Sequence, residues 1–186
     1  MMDIKNNIRK KILLERASFK ELDYFFKNEE IINNVKIVLN KLYTKKNLVL
    51  ALYWPLKGEP DLIKLTINSN YIVSLPKMRE QDMDFVRYDL GSELVQSFGK
   101  KLMQPTSNVK TIPDVVIVPG LAFSLHGYRI GFGYGYYDKY FAKIKNISKI
   151  IKIGVCFHEY LYEYLPNEEH DIKMNYIITN QTIIAL

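Results

Sequence analysis

The chain has 186 residues, of which 48% are hydrophobic and 25% charged, which suits one folded domain over residues 1–186 and excludes global disorder. No stretch reaches the about 18 consecutive apolar residues of a membrane span, Met1 to Asn7 lacks the apolar centre of a secretory signal, and the one cysteine, Cys156, cannot form an intrachain disulfide. The formal net charge is +6, but only five of the 26 basic residues are arginine, so lysine is the default surface cation and each arginine calls for a reason of its own.

In chain order, Ile4, Ile8, Ile12, Phe19, Leu22 and Phe26 recur at three- to four-residue steps and predict a helix over residues 3–26. Lys5, Arg9 and Arg16 run beside that stripe, within about 40° of one another. A second helix is expected over 29–42, and the apolar run 48–53, ended by Pro55, reads as a buried strand. A short helix over 62–67 and strands over 71–75 and 83–88 follow, while the polar stretch 89–112 takes no assignment. Residues 114–118 form the clearest buried strand, closed by Pro119 and Gly120. A loop to Gly135 precedes a helix over 136–144, a strand over 149–157, a helical turn or two over 158–164 and a last strand over 176–179. This alternation predicts a single-domain α/β fold, a Rossmann-like three-layer sandwich with a mostly parallel central sheet and helices on both faces.

Five of the nine glycines fall between residues 120 and 135, far more than even scatter would place there. The dense part, Gly127-Tyr128-Arg129-Ile130-Gly131-Phe132-Gly133-Tyr134-Gly135-Tyr136-Tyr137-Asp138, follows a buried strand and opens a helix. Glycines let backbone N–H groups close on an anion at a helix start, Arg129 adds a cation, and Asp138 adds a hard oxygen suited to Mg²⁺. The pattern reads as a nucleotide-phosphate site with its metal; the plainer alternative is a glycine-rich turn whose tyrosines pack on the core. It is neither a GxxxxGK[ST] loop, since Leu94 stands where Gly99-Lys100 would need the first glycine, nor a dinucleotide loop, since it begins well beyond Val118.

Val118-Pro119-Gly120-Leu121-Ala122-Phe123 followed by the Gly127–Asp138 motif resembles the signature of the 5-formyltetrahydrofolate cyclo-ligase family, also called methenyltetrahydrofolate synthetases. The likeness runs over nearly the whole chain. Lys5-x-x-x-Arg9 is similar to the family's N-terminal basic pair, and Tyr53-x-Pro55-x-x-x-Glu59-x-Asp61 and Ser74-Leu75-Pro76-Lys77 to its strand-end motifs. Ile153-Gly154-Val155-x-Phe157, Leu165-Pro166 and His170-Asp171 through Ile178-Thr179 match its C-terminal block.

The resemblance implies ATP- and Mg²⁺-dependent cyclisation of 5-formyltetrahydrofolate to 5,10-methenyltetrahydrofolate. A formyl amide cannot cyclise onto N10 by expelling hydroxide, so the γ-phosphoryl group must first make the formyl oxygen a leaving group. Carried over residue by residue, Lys5, Arg9, Arg129 and the segment Ile130, Gly131, Phe132, Gly133, Tyr134, Gly135, Tyr136 and Tyr137 would bind ATP, with Lys5 and Arg129 acting on the phosphoryl group in flight. Asp138 and Asp171 would hold Mg²⁺. Glu59 and Asp61 would accept hydrogen bonds from the pterin N–H groups. Trp54, Leu56, Phe123, Tyr136, Tyr137 and Phe157 are expected to line an apolar cleft for the folate body, with or without a polyglutamate tail. Phe132 and Tyr134 stand where relatives often carry basic or small residues, Tyr160 where a glutamine is common, and Lys139 replaces a frequent arginine. Cys156 reads as a small buried hydrophobe. The expected partners are ATP and the folate alone, in a soluble, cytoplasmic monomer with no membrane or nucleic-acid contact. Two other readings remain at this level: a basic RNA-binding module stacking bases on tyrosine, and an α/β protein acting on another phosphorylated small molecule.

Overall fold

A computed structural model describes residues 2–18, 21–42, 47–67, 69–97, 102–144 and 149–186. The first two elements are helices α1 (Met2–Ala17) and α2 (Glu21–Leu42). One continuous helix over 3–26 is therefore not formed; the second helix starts eight residues before its expected position, and Phe19 lies outside the described residues. The predicted apolar stripe is not the buried one either, for Ile4, Leu22 and Phe26 are exposed. The face of α1 that packs inward is Lys5, Arg9, Ile12 and Arg16, spaced i, i+4, i+7 and i+11. Its cations can be buried because each finds a fixed oxygen on the body of the protein.

The strands are β1 (Val49–Ala51), β2 (Ile72–Arg79), β3 (Asp82–Arg87), β4 (Leu94–Gln96), β5 (Met103–Pro105), β6 (Val115–Pro119), β7 (Ala122–Ser124), β8 (Arg129–Ile130), β9 (Ile151–Val155), β10 (Leu161–Tyr162), β11 (Tyr176–Ile178) and β12 (Ile183–Ala185), with helix α3 (Tyr136–Ile144) between β8 and β9. Seven form one sheet in the order β12-β11-β9-β6-β1-β2-β3. Its centre is parallel, with Leu50 opposite Val115, Val118 opposite Gly154 and Ile153 opposite Tyr176, and the edge strands β3 and β12 are antiparallel. The fold is thus mixed α/β with a large, mostly parallel sheet and three α-helices among the described residues.

The unbroken apolar runs mark strands covered on both faces. Leu50, Ala51, Val115, Val116, Ile117, Val118, Ile153 and Val155 are all fully buried. Helix α3 packs on β3 through an edge-to-face contact between Phe85 and Tyr140, centroids 4.9 Å apart, while α2 packs near β11. The unassigned stretch 89–112 contains the β4–β5 hairpin, and the loop before Gly135 holds β7 and β8, which join β10 in a three-stranded sheet. The second half of the 158–164 segment is strand β10, not helix. Short strands with few alternating residues carry little periodicity, which is why they escape a sequence reading. Among the described residues no helix is long and apolar enough to cross a membrane.

Candidate active site

The chain leaves the parallel strands at their C-terminal ends, where α/β sheets gather ligand contacts. From β1 it runs into Tyr53, Trp54, Leu56 and Glu59; from β6 into Pro119 and the glycine-rich segment; and β2 continues past its parallel partner to bring Pro76 and Met78 alongside. These segments, with α1, the start of α3 and the stretch around Glu168 and Asp171, enclose a cavity of about 500 Å³.

At one end the glycine loop meets α1. Arg9 Nε donates to the Gly131 carbonyl at 2.8 Å, and its guanidinium lies over Gly133, where a Cβ would come within 3.6 Å of Cζ. Gly133 has φ of +99°, a conformation that a side chain would strain. Lys5, 8% exposed, donates to Asp171 Oδ2 at 2.7 Å and sits 3.4 Å from Glu168 Oε1. Arg129 donates to Asp138 Oδ2 at 2.9 Å and lies over the Tyr137 ring at 5.8 Å; Asp138 Oδ1 accepts the N–H of Ile172 at 3.2 Å. Three cations, two aspartates and a run of glycine N–H groups therefore line one end of the cavity. For Asp171, burial by itself would raise the pKa; the hydrogen bonds from Lys5 and from the Glu168 N–H, with the Lys5 charge, outweigh it and hold the carboxyl below its usual range.

A magnesium ion fits this donor set. The described residues contain no group of three or more His, Cys, Asp or Glu able to cage a metal. Two aspartates facing the cavity, held close because Asp138 accepts from the residue beside Asp171, are what Mg²⁺ takes when phosphate oxygens and waters fill its other positions.

The other end is drier. Arg16 lies eleven residues along α1 from Lys5, about 16 Å at 1.5 Å per residue, and meets Glu59 there. Glu59 is 3% exposed; Oε2 accepts the N–H of Leu56 at 2.9 Å, and Oε1 has no hydrogen-bond partner among the described residues. Burial raises its pKa to about 7, with the Leu56 bond and the Arg16 charge pulling the other way. The hydroxyl of Tyr137 is likewise buried without a partner, and burial with the Glu59 charge pushes it well above 10. Trp54 and Leu56 complete this wall.

Of the expected site residues, Lys5, Arg9, Trp54, Leu56, Glu59, Arg129, Gly131, Phe132, Gly133, Tyr134, Gly135, Tyr136, Tyr137, Asp138 and Asp171 do come to the cavity. Four do not line it. Asp61 turns its carboxylate to the N–H of Ile63 at 2.9 Å, just before the 3-10 turn Ile63–Thr66, and its backbone pairs with Asn28 on α2. Phe123 is fully buried, its ring filling the space over Gly120 and Gly154, and Phe157 packs edge-to-face on Tyr24 in the core. Ile130 points into the core from β8. Apolar residues beside a strand end serve core or cleft equally well in sequence, and here the core has them.

The sequence reading missed Pro76, Met78, the β5 residues Met103 and Gln104, and Glu168. Gln104 accepts the N–H of Met78 at 2.9 Å and so hangs the hairpin on β2. Arg16 was visible only as a third cation in line with Lys5 and Arg9. Cys156 is fully buried, its thiol pushed up to about 12 by desolvation, which suits a packing role. Tyr53, Tyr136, Tyr140 and Tyr160 are buried, while Tyr134 and Tyr164 are exposed.

The comparisons with known proteins decide the family. The 5-formyltetrahydrofolate cyclo-ligase family matches residues 1–180. The chain belongs to that family. It is 30% identical over 178 residues to a 5-formyltetrahydrofolate cyclo-ligase of Mycoplasma genitalium, covering 95% of this chain and 98% of the relative. Its fold is similar to the solved structure of a 5,10-methenyltetrahydrofolate synthetase of Aquifex aeolicus, with TM-score 0.80 and 32% identity over 98% of this chain and 92% of that one. A Mycoplasma pneumoniae 5,10-methenyltetrahydrofolate synthetase has the same fold at 23% identity and TM-score 0.73, covering 95% of this chain and 98% of that one.

Proposed function

We propose that this cyclo-ligase family member converts 5-formyltetrahydrofolate to 5,10-methenyltetrahydrofolate with ATP as co-substrate and Mg²⁺ bound by Asp138 and Asp171. The observation that carries the reading is one cavity with two unlike ends: a glycine loop under three cations, and a buried carboxylate with a free oxygen beside Arg16, eleven residues along α1 from Lys5. The first end suits a triphosphate; the second suits a flat heterocycle with N–H donors.

Lys5, Arg9 and Arg129 neutralise and orient the phosphates, and the N–H groups from Gly131 to Gly135 cradle them. Mg²⁺ when bound supplies further charge neutralisation to the phosphate oxygens. Glu59 accepts from the pterin, and Trp54, Leu56, Tyr136 and Tyr137 exclude water around the reacting carbon. The γ-phosphoryl group passes to the formyl oxygen, an O–P bond forms and ADP leaves. N10 attacks the activated carbon, loses its proton, and phosphate departs with the former formyl oxygen. The residues 1–186 act as one domain and as a monomer, with the large sheet and its helices in a Rossmann-like three-layer arrangement.

The test mixes purified protein with 5-formyltetrahydrofolate, ATP and Mg²⁺ and follows the near-ultraviolet absorbance of the methenyl product. Product that requires ATP and disappears with a chelator is expected. Well-folded protein giving no product overturns the reading and turns attention to other phosphorylated small molecules.

A further inference from the structure

The catalytic roles above leave one buried cation unused. Arg16 is 3% exposed and lies outside the cavity lining, and Nε and Nη1 have no hydrogen-bond partner among the described residues. A guanidinium is costly to bury without full pairing, so a purely structural contact is a poor account of it. What the residue does have is position. Nη2 donates to the carbonyls of Gly120 at 2.8 Å and Leu121 at 3.1 Å, the group lies on the Tyr160 ring at 5.0 Å, and the stem packs against Gly58. Gly58 has φ of +78°, and a Cβ there would meet the Arg16 stem at 3.0 to 3.2 Å, so the residue beside Glu59 is shaped to admit this side chain.

Nη1 then lies 4.0 Å from Glu59 Oε1, close enough to act by charge and too far for a hydrogen bond. The other groups around the carboxylate are neutral phenols: Tyr24 of α2, Tyr53 after β1 and Tyr137 of α3, all held protonated by burial first and the Glu59 charge among the further causes. Arg16 of α1 is the cation that acts on Glu59.

We propose that Arg16 is a positioning residue for the folate end of the cavity: pinned on the Gly120 and Leu121 carbonyls, it adds its charge to the Leu56 N–H bond in favouring the Glu59 carboxylate and, standing off at 4.0 Å, leaves Oε1 free to accept an N–H of the ligand. A direct Arg–Glu hydrogen bond would hold the charge better but would consume the acceptor. The arrangement also ties α1 to both ends of the cavity, since the same helix face carries Lys5 and Arg9 to the phosphate end. The proposal rests on Glu59 meeting the pterin, but the charge support itself exists without ligand and can be read separately.

The experiment follows carboxyl-labelled glutamate by NMR in ligand-free protein, with the Glu59 signal assigned by its loss in Glu59→Gln. Arg16→Met keeps the apolar stem on Gly58 and Tyr160 and removes the charge; its Glu59 midpoint should rise by about one pH unit or more. Near pH 7 the affinity for 5-formyltetrahydrofolate, read by fluorescence of Trp54, the one tryptophan, should fall by about tenfold and recover as the pH is raised, with ATP affinity held within about twofold. Arg16→Lys should restore part of the midpoint and part of the affinity. An unchanged midpoint in folded Arg16→Met overturns the proposal, as does a loss of ATP affinity equal to that for folate. Should Arg16→Met fail to fold, Arg16→Gln decides: its amide N–H can still donate to the Gly120 or Leu121 carbonyl but carries no charge, so a wild-type midpoint overturns the proposal and a raised one supports it. Wild-type protein that makes no methenyl product refutes the cyclo-ligase reading while leaving the Glu59 titration intact, so the two failures are distinguishable.

Discussion

The two ends of the cavity treat the same chemical group in opposite ways. At the phosphate end the carboxylates are partly open to solvent and each has a cation in direct contact: Lys5 on Asp171 at 2.7 Å and Arg129 on Asp138 at 2.9 Å. At the folate end Glu59 is deeply buried and its cation stands off at 4.0 Å. For Asp171 burial is outweighed by the Lys5 bond and the pKa goes down; for Glu59 burial prevails and it rises to about 7. Depth of burial and distance to the cation together thus sort a carboxyl held below its ordinary range from one raised to about 7. The sorting suits the proposed tasks, because a ligand for Mg²⁺ must stay charged whereas a pterin acceptor can be gated by its proton.

The largest effects should come from breaking the phosphate end. Arg129→Ala is expected to lower turnover by about 100-fold and Asp138→Asn by at least about tenfold, with the far-ultraviolet circular dichroism of wild type retained in both. Near-wild-type rates in either would remove that residue from the phosphate site. Next in size is Glu59→Gln, which should raise KM for 5-formyltetrahydrofolate by about tenfold or more while leaving KM for ATP unchanged. The same variant tests the proton sorting through stability. Glu59 has a folded pKa of about 7 against 4.5 in the unfolded chain, so the folded state binds more protons between those values. Its contribution is complete below pH 4.5 and is lost as the pH rises through 7, about 3 kcal/mol at most for a group so fully buried. Denaturant titrations at several pH values should show that slope in wild type and not in Glu59→Gln. Asp171 has the opposite sign: its stabilisation is present above its unfolded pKa of 3.8 and goes as the pH falls through its lower folded value.

How much of this could be read from the sequence also differs between the two ends. The glycine-rich part of the site was legible because its residues are contiguous: Arg129, three glycines and Asp138 fall within ten positions of one motif, and helix α3 begins where that motif predicts, whereas Lys5, Arg9 and Asp171 join it only in the fold. The central parallel strands were legible for a related reason, since a strand covered on both faces has to be an unbroken apolar run. The Glu59 end was legible only in part: the resemblance pointed to Trp54, Leu56 and Glu59, but the β2, β5 and α1 residues beside them meet only in the fold. Met78 and Gln104 carry no local signal of a cleft. Helix α1 misled the reading for a physical reason: Ile4 and Ile8 suggested an apolar inner face, but burying Lys5, Arg9 and Arg16 becomes possible when the chain supplies carbonyls at Gly120, Leu121 and Gly131 and a carboxylate at Asp171. None of those partners is near in sequence.

Two smaller effects sharpen the contrast. Lys5→Ala should raise KM for ATP by about tenfold and leave the folate KM within about twofold, since its ammonium is engaged by Asp171 and Glu168 rather than by Glu59. A change in folate KM alone would place the N-terminal helix wrongly with respect to the two ligands. The smallest effect is expected at Asp61, two residues from Glu59 and alike in charge. Its carboxylate is occupied by the N–H of Ile63, while its backbone N–H donates to Asn28 Oδ1 and its carbonyl accepts from Asn28 Nδ2, so it joins α2 to the 3-10 turn without facing the cavity. Asp61→Ala removes one side-chain hydrogen bond to the backbone and should cost about 1 kcal/mol in a denaturant titration. Its folate KM should remain near wild type, because Asp61 is not among the residues that line the cavity. A folate KM raised as far as in Glu59→Gln would mean that the 3-10 turn reorganises when ligand binds and that both acids reach the pterin.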